Sequence, residues 1–183
     1  VQSTDDSQTI HLLAEASEAA SIAGNFAGCA ETAVIAGRLP EPSRADDAVL
    51  RDLVVGMGLL LGGDRAGAVP MLRRVVDAGA ELTEVVPLAQ AGRAAWYLGD
   101  EPGAQSPFER AVRLARERGR LGLLPYALNR LAASEVVAGR WESATAYSRR
   151  RWSWPAGPGR TRWSGTCSAV SRSWPRTAVT RAA

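Results

Sequence analysis

The residues of this 183-residue chain whose types could do chemistry are one histidine, two cysteines, two Asp-Asp pairs and a run of arginines. A nucleotide-binding P-loop needs a lysine on the β and γ phosphates, and the chain contains no lysine. His11 could serve as a base, but no serine, cysteine or carboxylate surrounds it at a familiar catalytic spacing. Beside Leu12 and Leu13 it reads as the surface of a helix or the edge of its core. Cys29 and Cys167 are too distant in sequence for a metal motif and too few for a disulfide scaffold. Asp5-Asp6 and Asp46-Asp47 could be oxygen ligands, yet acidic pairs at helix starts are already favoured by the positive end of the helix dipole. We therefore expect no catalytic, cofactor-binding or metal-binding residue, and no enzyme.

Arg110, Arg113, Arg116, Arg118 and Arg120 are interleaved with Glu109 and Glu117. They read as a solvated face that complements a helix C-terminus. Contact with nucleic acid is the sharper alternative, and stacking aromatics are missing there. Phe108, Trp96, Tyr97, Tyr126, Trp141 and Tyr147 fall near expected helix crossings, which assigns them to the core rather than to a ligand cage.

The elements that must position these residues announce themselves by repetition. A glycine, a polar or turn residue, a small residue and an alanine-sized residue recur as Gly24-Asn25 with Gly28-Cys29, Gly63-Asp64 with Gly67-Ala68, Gly99-Asp100 with Gly103-Ala104, and Gly139-Arg140 with Ser143-Ala144. The first glycines lie 39, 36 and 40 residues apart, a period that belongs to stacked helical hairpins. After each glycine, apolar or small side chains return at helical spacing, as in Ala104, Phe108, Ala111, Val112 and Ala115, or Ala68, Leu72, Val75, Val76 and Gly79. Such a stripe must be buried against a neighbour. The first copy keeps Cys29, Ala33 and Ala36.

Partner helices are expected near residues 7–23, 46–61, 84–98 and 123–138, with Asp46, Thr83 and Asp100 as N-caps. Pro87 suits a first turn, whereas Pro70 and Pro107 lie deeper and predict a kink or a delayed start. Pro40 and Pro42 mark a loop over 39–45. Gly28, Gly67, Gly103 and Ser143 are expected where the two helices of a hairpin cross closely. The predicted fold is all-α: a right-handed stack of antiparallel helical hairpins, a TPR-like α-solenoid of about four repeats over residues 1–148.

Residues 149–183 differ in kind. They hold eight arginines and no acid, so the net charge of +3 conceals fourteen basic against nineteen acidic residues in 1–148. Four of the six tryptophans, Trp152, Trp154, Trp163 and Trp174, crowd into this Arg/Trp-rich tail. The scarcity of Lys, Asn and Ile points to a gene rich in G and C, and the tail reads as a frame-shifted remnant of the next repeat. In the shifted frame the TG of each Trp or Cys codon makes positions 152, 154, 163, 167 and 174 Leu, Val or Met. Position 155 becomes alanine, and Val179-Thr180 can become Gly-Asp, 40 residues after Gly139. No run of about 18 apolar residues and no signal peptide is present, so a soluble, cytoplasmic protein without membrane contact is expected.

Trp96-Tyr97-Leu98-Gly99-Asp100, Phe108-Glu109-Arg110-Ala111-Val112, Leu123-Leu124-Pro125-Tyr126-Ala127-Leu128 and Ala138-Gly139-Arg140-Trp141 together resemble the TPR-like helical repeat region of LuxR-type, MalT-like, ATPase-containing transcriptional regulators of actinobacteria. The resemblance covers roughly residues 10–148. It implies an attached ATPase, an attached promoter-binding helix-turn-helix, and a middle segment that senses a protein partner or a small-molecule effector on its concave face. No nucleotide- or DNA-contacting residue carries over, and Val1 fits an internal fragment. Two rivals remain: a free-standing TPR-like protein-interaction adaptor, and a nucleic-acid binder that uses the arginine-rich tail, recognisable by a steep salt dependence.

Overall fold

Where the chain must reverse is written in its turn residues. The computed structural model describes residues 2–152, with the side chains of 6–149, and forms eight α-helices with no strand among the described residues. These are α1 (Gln2–Ala23), α2 (Phe26–Arg38), α3 (Ala45–Leu61), α4 (Arg65–Asp77), α5 (Val85–Tyr97), α6 (Glu101–Glu117), α7 (Leu124–Val137) and α8 (Trp141–Trp152). A 3-10 turn at Ala78–Ala80 extends α4. The reading of the tail as out of frame lies outside the described residues.

Gly24, Gly63, Gly99 and Gly139 end α1, α3, α5 and α7 with φ of 72°, 92°, 81° and 73°, a left-handed conformation that glycine adopts without a Cβ clash. In each case the next residue donates its N–H five residues back: Asn25 to Ala20, Asp64 to Leu59 and Asp100 to Ala95 at 2.9 Å, and Arg140 to Glu135 at 2.8 Å. This bond closes a Schellman ending and satisfies a carbonyl that the helix leaves open. Asn25, Asp64 and Asp100 then begin the following helix, their side-chain oxygens accepting the N–H groups of Gly28, Gly67 and Gly103 at 3.0, 2.9 and 2.9 Å. One dipeptide thus stops one helix and starts the next.

That geometry corrects the expected role of Gly28, Gly67 and Gly103. A Cβ there would first meet the capping side chain, 2.7 Å from Asn25 Nδ2, 2.6 Å from Asp64 Oδ2 and 2.0 Å from Asp100 Oδ2; at Gly28 the partner helix also comes within reach, with Ala20 Cβ at 3.4 Å. Position 140 is arginine, with no oxygen to place over the turn, and the corresponding small residue there is Ser143. The close crossings lie seven residues before the turn glycine. A Cβ on Gly56 would stand 3.0 Å from Leu72, and one on Gly92 2.8 Å from Phe108 and 2.9 Å from the carbonyl of Ala104. Gly58 plays a similar part between α3 and α2, 2.3 Å from Ala33 Cβ.

Two expected caps also differ. Arg44 and Glu84 precede α3 and α5 without a side-chain capping bond. Asp46 lies instead in the first turn of α3 and accepts the backbone N–H and hydroxyl of Thr83 at 3.3 and 3.2 Å, joining α3 to the start of α5. Pro70 and Pro107 delay neither helix: α4 and α6 begin at Arg65 and Glu101 and run through them, each proline removing one intrahelical hydrogen bond.

Each helix packs on the next in sequence, and α1 on α3, α3 on α5 and α5 on α7. The main core gathers Leu53 and Met57 of α3, Leu72 and Val75 of α4, Leu88 of α5, Phe108 and Val112 of α6, and Leu128 of α7. A second, smaller cluster joins Ile10 and Ala14 of α1 to Ala36, Leu50 and Val54. All five stripe residues of α6 are buried as the spacing predicts. The aromatics are not alike: Phe108 is fully buried, Trp96, Tyr126 and Tyr147 are partly buried, and Tyr97 and Trp141 are exposed. No helix among the described residues is long and apolar enough to cross a membrane.

Candidate functional site

α5 is almost wholly apolar, so its two strongly polar side chains are conspicuous. Gln90 and Arg93 are 1% and 3% exposed, and with Tyr97 they occupy one stripe at i, i+3 and i+7. On α7, Tyr126 and Arg130 are one turn apart, and on α1 Glu18 is buried at 6% exposure. Burying such groups costs free energy unless they find one another.

They do so around the Glu18 carboxylate. Its Oε2 accepts Gln90 Nε2 at 2.9 Å and the Tyr126 hydroxyl at 3.1 Å. The second N–H of Gln90 reaches the Tyr126 oxygen at 3.0 Å, while Gln90 Oε1 accepts Arg93 Nη1 at 3.2 Å. Arg93 Nη1 also lies 3.9 Å from Glu18 Oε2, and Arg130 Nη2 lies against Oε1. Arg93 sits over the ring of Tyr97, 5.6 Å from its centroid, and Arg130 over Tyr126 at 5.4 Å, contacts that partly offset lost hydration of the guanidiniums. At the rim the Ser21 and Tyr97 hydroxyls meet at 3.5 Å.

Burial sets the protonation of this cluster. It pushes the Tyr126 phenol up to about 12, against the opposing pull of Arg93, and brings the Arg130 guanidinium down to about 10. Near neutral pH the phenol is therefore a donor and Arg130 a cation. The arrangement can hold an anion; it has no activated nucleophile and no positioned base–nucleophile pair.

The other chemistry-bearing residues are structural ties. His11 Nε2 meets Asp47 Oδ1 at 3.2 Å, linking α1 to α3. Asp46 and Asp47 fill the first turn of α3, as expected of acids at a helix start. Cys29 is buried, its thiol donating to the Ser17 carbonyl at 3.6 Å, and burial raises its pKa. Cys167 and the Asp5 side chain lie outside the described residues. Of the arginine run, Arg110 donates to the carbonyls of Gly79, Ala80 and Leu82 at 2.7, 3.0 and 3.4 Å. Arg118 pairs with Glu84 at 3.2 Å and Arg113 with Glu117 at 4.0 Å. Arg110 thus fastens the end of α4, while Arg116 and Arg120 are exposed. Sequence reasoning missed Glu18, Gln90, Arg93 and Arg130. Gln90 and Arg93, set one turn apart in the apolar run of α5, were the available signal. No protein-family model matches the chain, and no curated protein matches it in sequence.

Proposed function

We propose that the chain is a non-catalytic, TPR-like segment of a LuxR-type, MalT-like regulator, a right-handed stack of about four antiparallel hairpins that binds a protein partner or a small-molecule effector on its concave face. The observation that carries this reading is recurrence. The same left-handed glycine and five-residue back-bond close α1, α3, α5 and α7, and α1, α3, α5 and α7 pack on one another in series. An architecture of equivalent units presents one continuous row of equivalent helices, the usual binding surface of such stacks. The polar cluster of Glu18, Gln90, Arg93, Tyr126 and Arg130 lies on that row.

In this reading the segment works in the cytoplasm without touching DNA. Occupancy of the row changes how the stack is packed, and hence how an attached ATPase and helix-turn-helix are held. That coupling requires a ligand with different affinities for the two packings. Sequencing the coding region on both sides tests it. A Walker lysine motif upstream and, in the frame that continues the repeats past residue 148, a helix-turn-helix downstream are expected; flanking sequence that encodes neither would replace the regulator with a free-standing adaptor.

A further inference from the structure

Among the described residues, every donor around Glu18 belongs to α5 or α7, and the acceptor comes from α1. Gln90 Nε2, the Tyr126 hydroxyl, Arg93 and Arg130 converge on one carboxylate. A buried guanidinium, Arg93, and a partly buried one, Arg130, therefore share a single buried anion, and Nε of Arg130 and Oε1 of Glu18 are buried without a hydrogen bond. Glu15, exposed one turn earlier on α1, is the other carboxylate near enough to act on Tyr126. The apolar anchorage of α1 lies mainly on α2 and α3, with Ile10 and Ala14 in the smaller cluster beside Ala36, Leu50 and Val54, against which Val86 at the start of α5 also packs. The main core draws on α3 to α7. Toward α5 and α7 the described ties of α1 are chiefly polar, and polar ties can be exchanged for those of another anion with little loss of buried apolar area.

We infer that α5 and α7 form a binding site for a small aliphatic carboxylate, which Glu18 fills as an internal competitor. This rests on the proposed binding role of the odd-numbered helices and names the ligand class they take. The shape is set by what fills it: a planar carboxylate on a short methylene stem, with Gln90 and Tyr126 donating to one oxygen and the arginines supplying charge. An external carboxylate gains the same donors when α1 releases them, so ligand binding and release of α1 are linked.

The direct test is chemical rescue. In Glu18→Ala the donors remain and the stem is gone, so sodium propionate should raise the melting temperature saturably, by about three times the shift given by sodium chloride at equal ionic strength or by neutral propionamide. Adding Arg130→Met to Glu18→Ala should abolish the excess. Equal shifts from propionate and chloride, or an excess that survives Arg130→Met, would overturn the site. Inorganic phosphate acting better than propionate would overturn the ligand class. If Glu18→Ala does not fold, hydrogen exchange on the wild-type chain serves: propionate should speed exchange in α1 between Glu15 and Ile22 and leave α5 protected. Unchanged exchange would refute the competition. None of these failures bears on the flanking sequence, so they are separable from failure of the regulator reading.

Discussion

The Asp100 carboxylate caps the N–H of Gly103 at 2.9 Å, and a Cβ on Gly103 would stand 2.0 Å from that same carboxylate. The cap and the missing side chain are one device. Asp100→Ala should cost about 1 kcal/mol by loss of the cap. Gly103→Ala should gain helix propensity and lose the cap, leaving stability nearly unchanged. The double variant should then be about 1 kcal/mol more stable than the two separate effects predict. Urea unfolding of the four proteins measures this, and strict additivity would refute the device.

Phe108 over Gly92 repeats the contact of Leu72 over Gly56, each pair with the large residue on the later helix. Phe108→Ala should cost about 3 to 5 kcal/mol, the usual range for emptying an aromatic core position. Gly92→Ala should cost about 1 to 3 kcal/mol by overpacking against the ring and the Ala104 carbonyl. Denaturant melts check both; a cost below about 1 kcal/mol for Phe108→Ala would remove the ring from its place at the crossing.

These two glycine classes explain how much was legible in the sequence. The period, the helices and the buried stripe of α6 follow from local rules, because turn chemistry and helical spacing act over a few residues. The function of the small residue after the turn was misassigned, since a cap and a helix crossing both ask for glycine. The crossing residues Gly56 and Gly92 stand seven before their turn glycines, and Ser17 and Ala132 hold the same offset before Gly24 and Gly139, a small-residue register that reads clearly only once the helices are paired. Asp46 was expected to cap its own helix, but its partner Thr83 is 37 residues away. Glu18 was unreadable for the same reason: Tyr126 lies 108 residues on, and the apolar surroundings that bury both are a tertiary property.

Tyr126 carries a pH signature. Its folded pKa, pushed up to about 12 by burial, exceeds the ordinary phenol value of 10.0, so as pH rises through that window the unfolded chain ionises first and stability falls. The advantage of wild type over Tyr126→Phe should be constant below pH 9 and should shrink by about 2 kcal/mol by pH 12. Denaturant midpoints across pH 8 to 12 read the difference; a difference that does not change would place the phenol in water.

α1 meets α7 through Glu18 and Arg130, and a double-mutant cycle tests that meeting most directly. Glu18→Gln should cost about 3 to 5 kcal/mol, because it leaves both guanidiniums without a carboxylate, whereas Arg130→Met should cost less, because Glu18 keeps Arg93, Gln90 and Tyr126. If the two side chains meet, the double variant should cost less than the sum by at least about 1.5 kcal/mol in urea unfolding at neutral pH. Costs that add to within about 0.5 kcal/mol would mean that the two residues act independently, and the account of α1 closing on α5 and α7 would be contradicted.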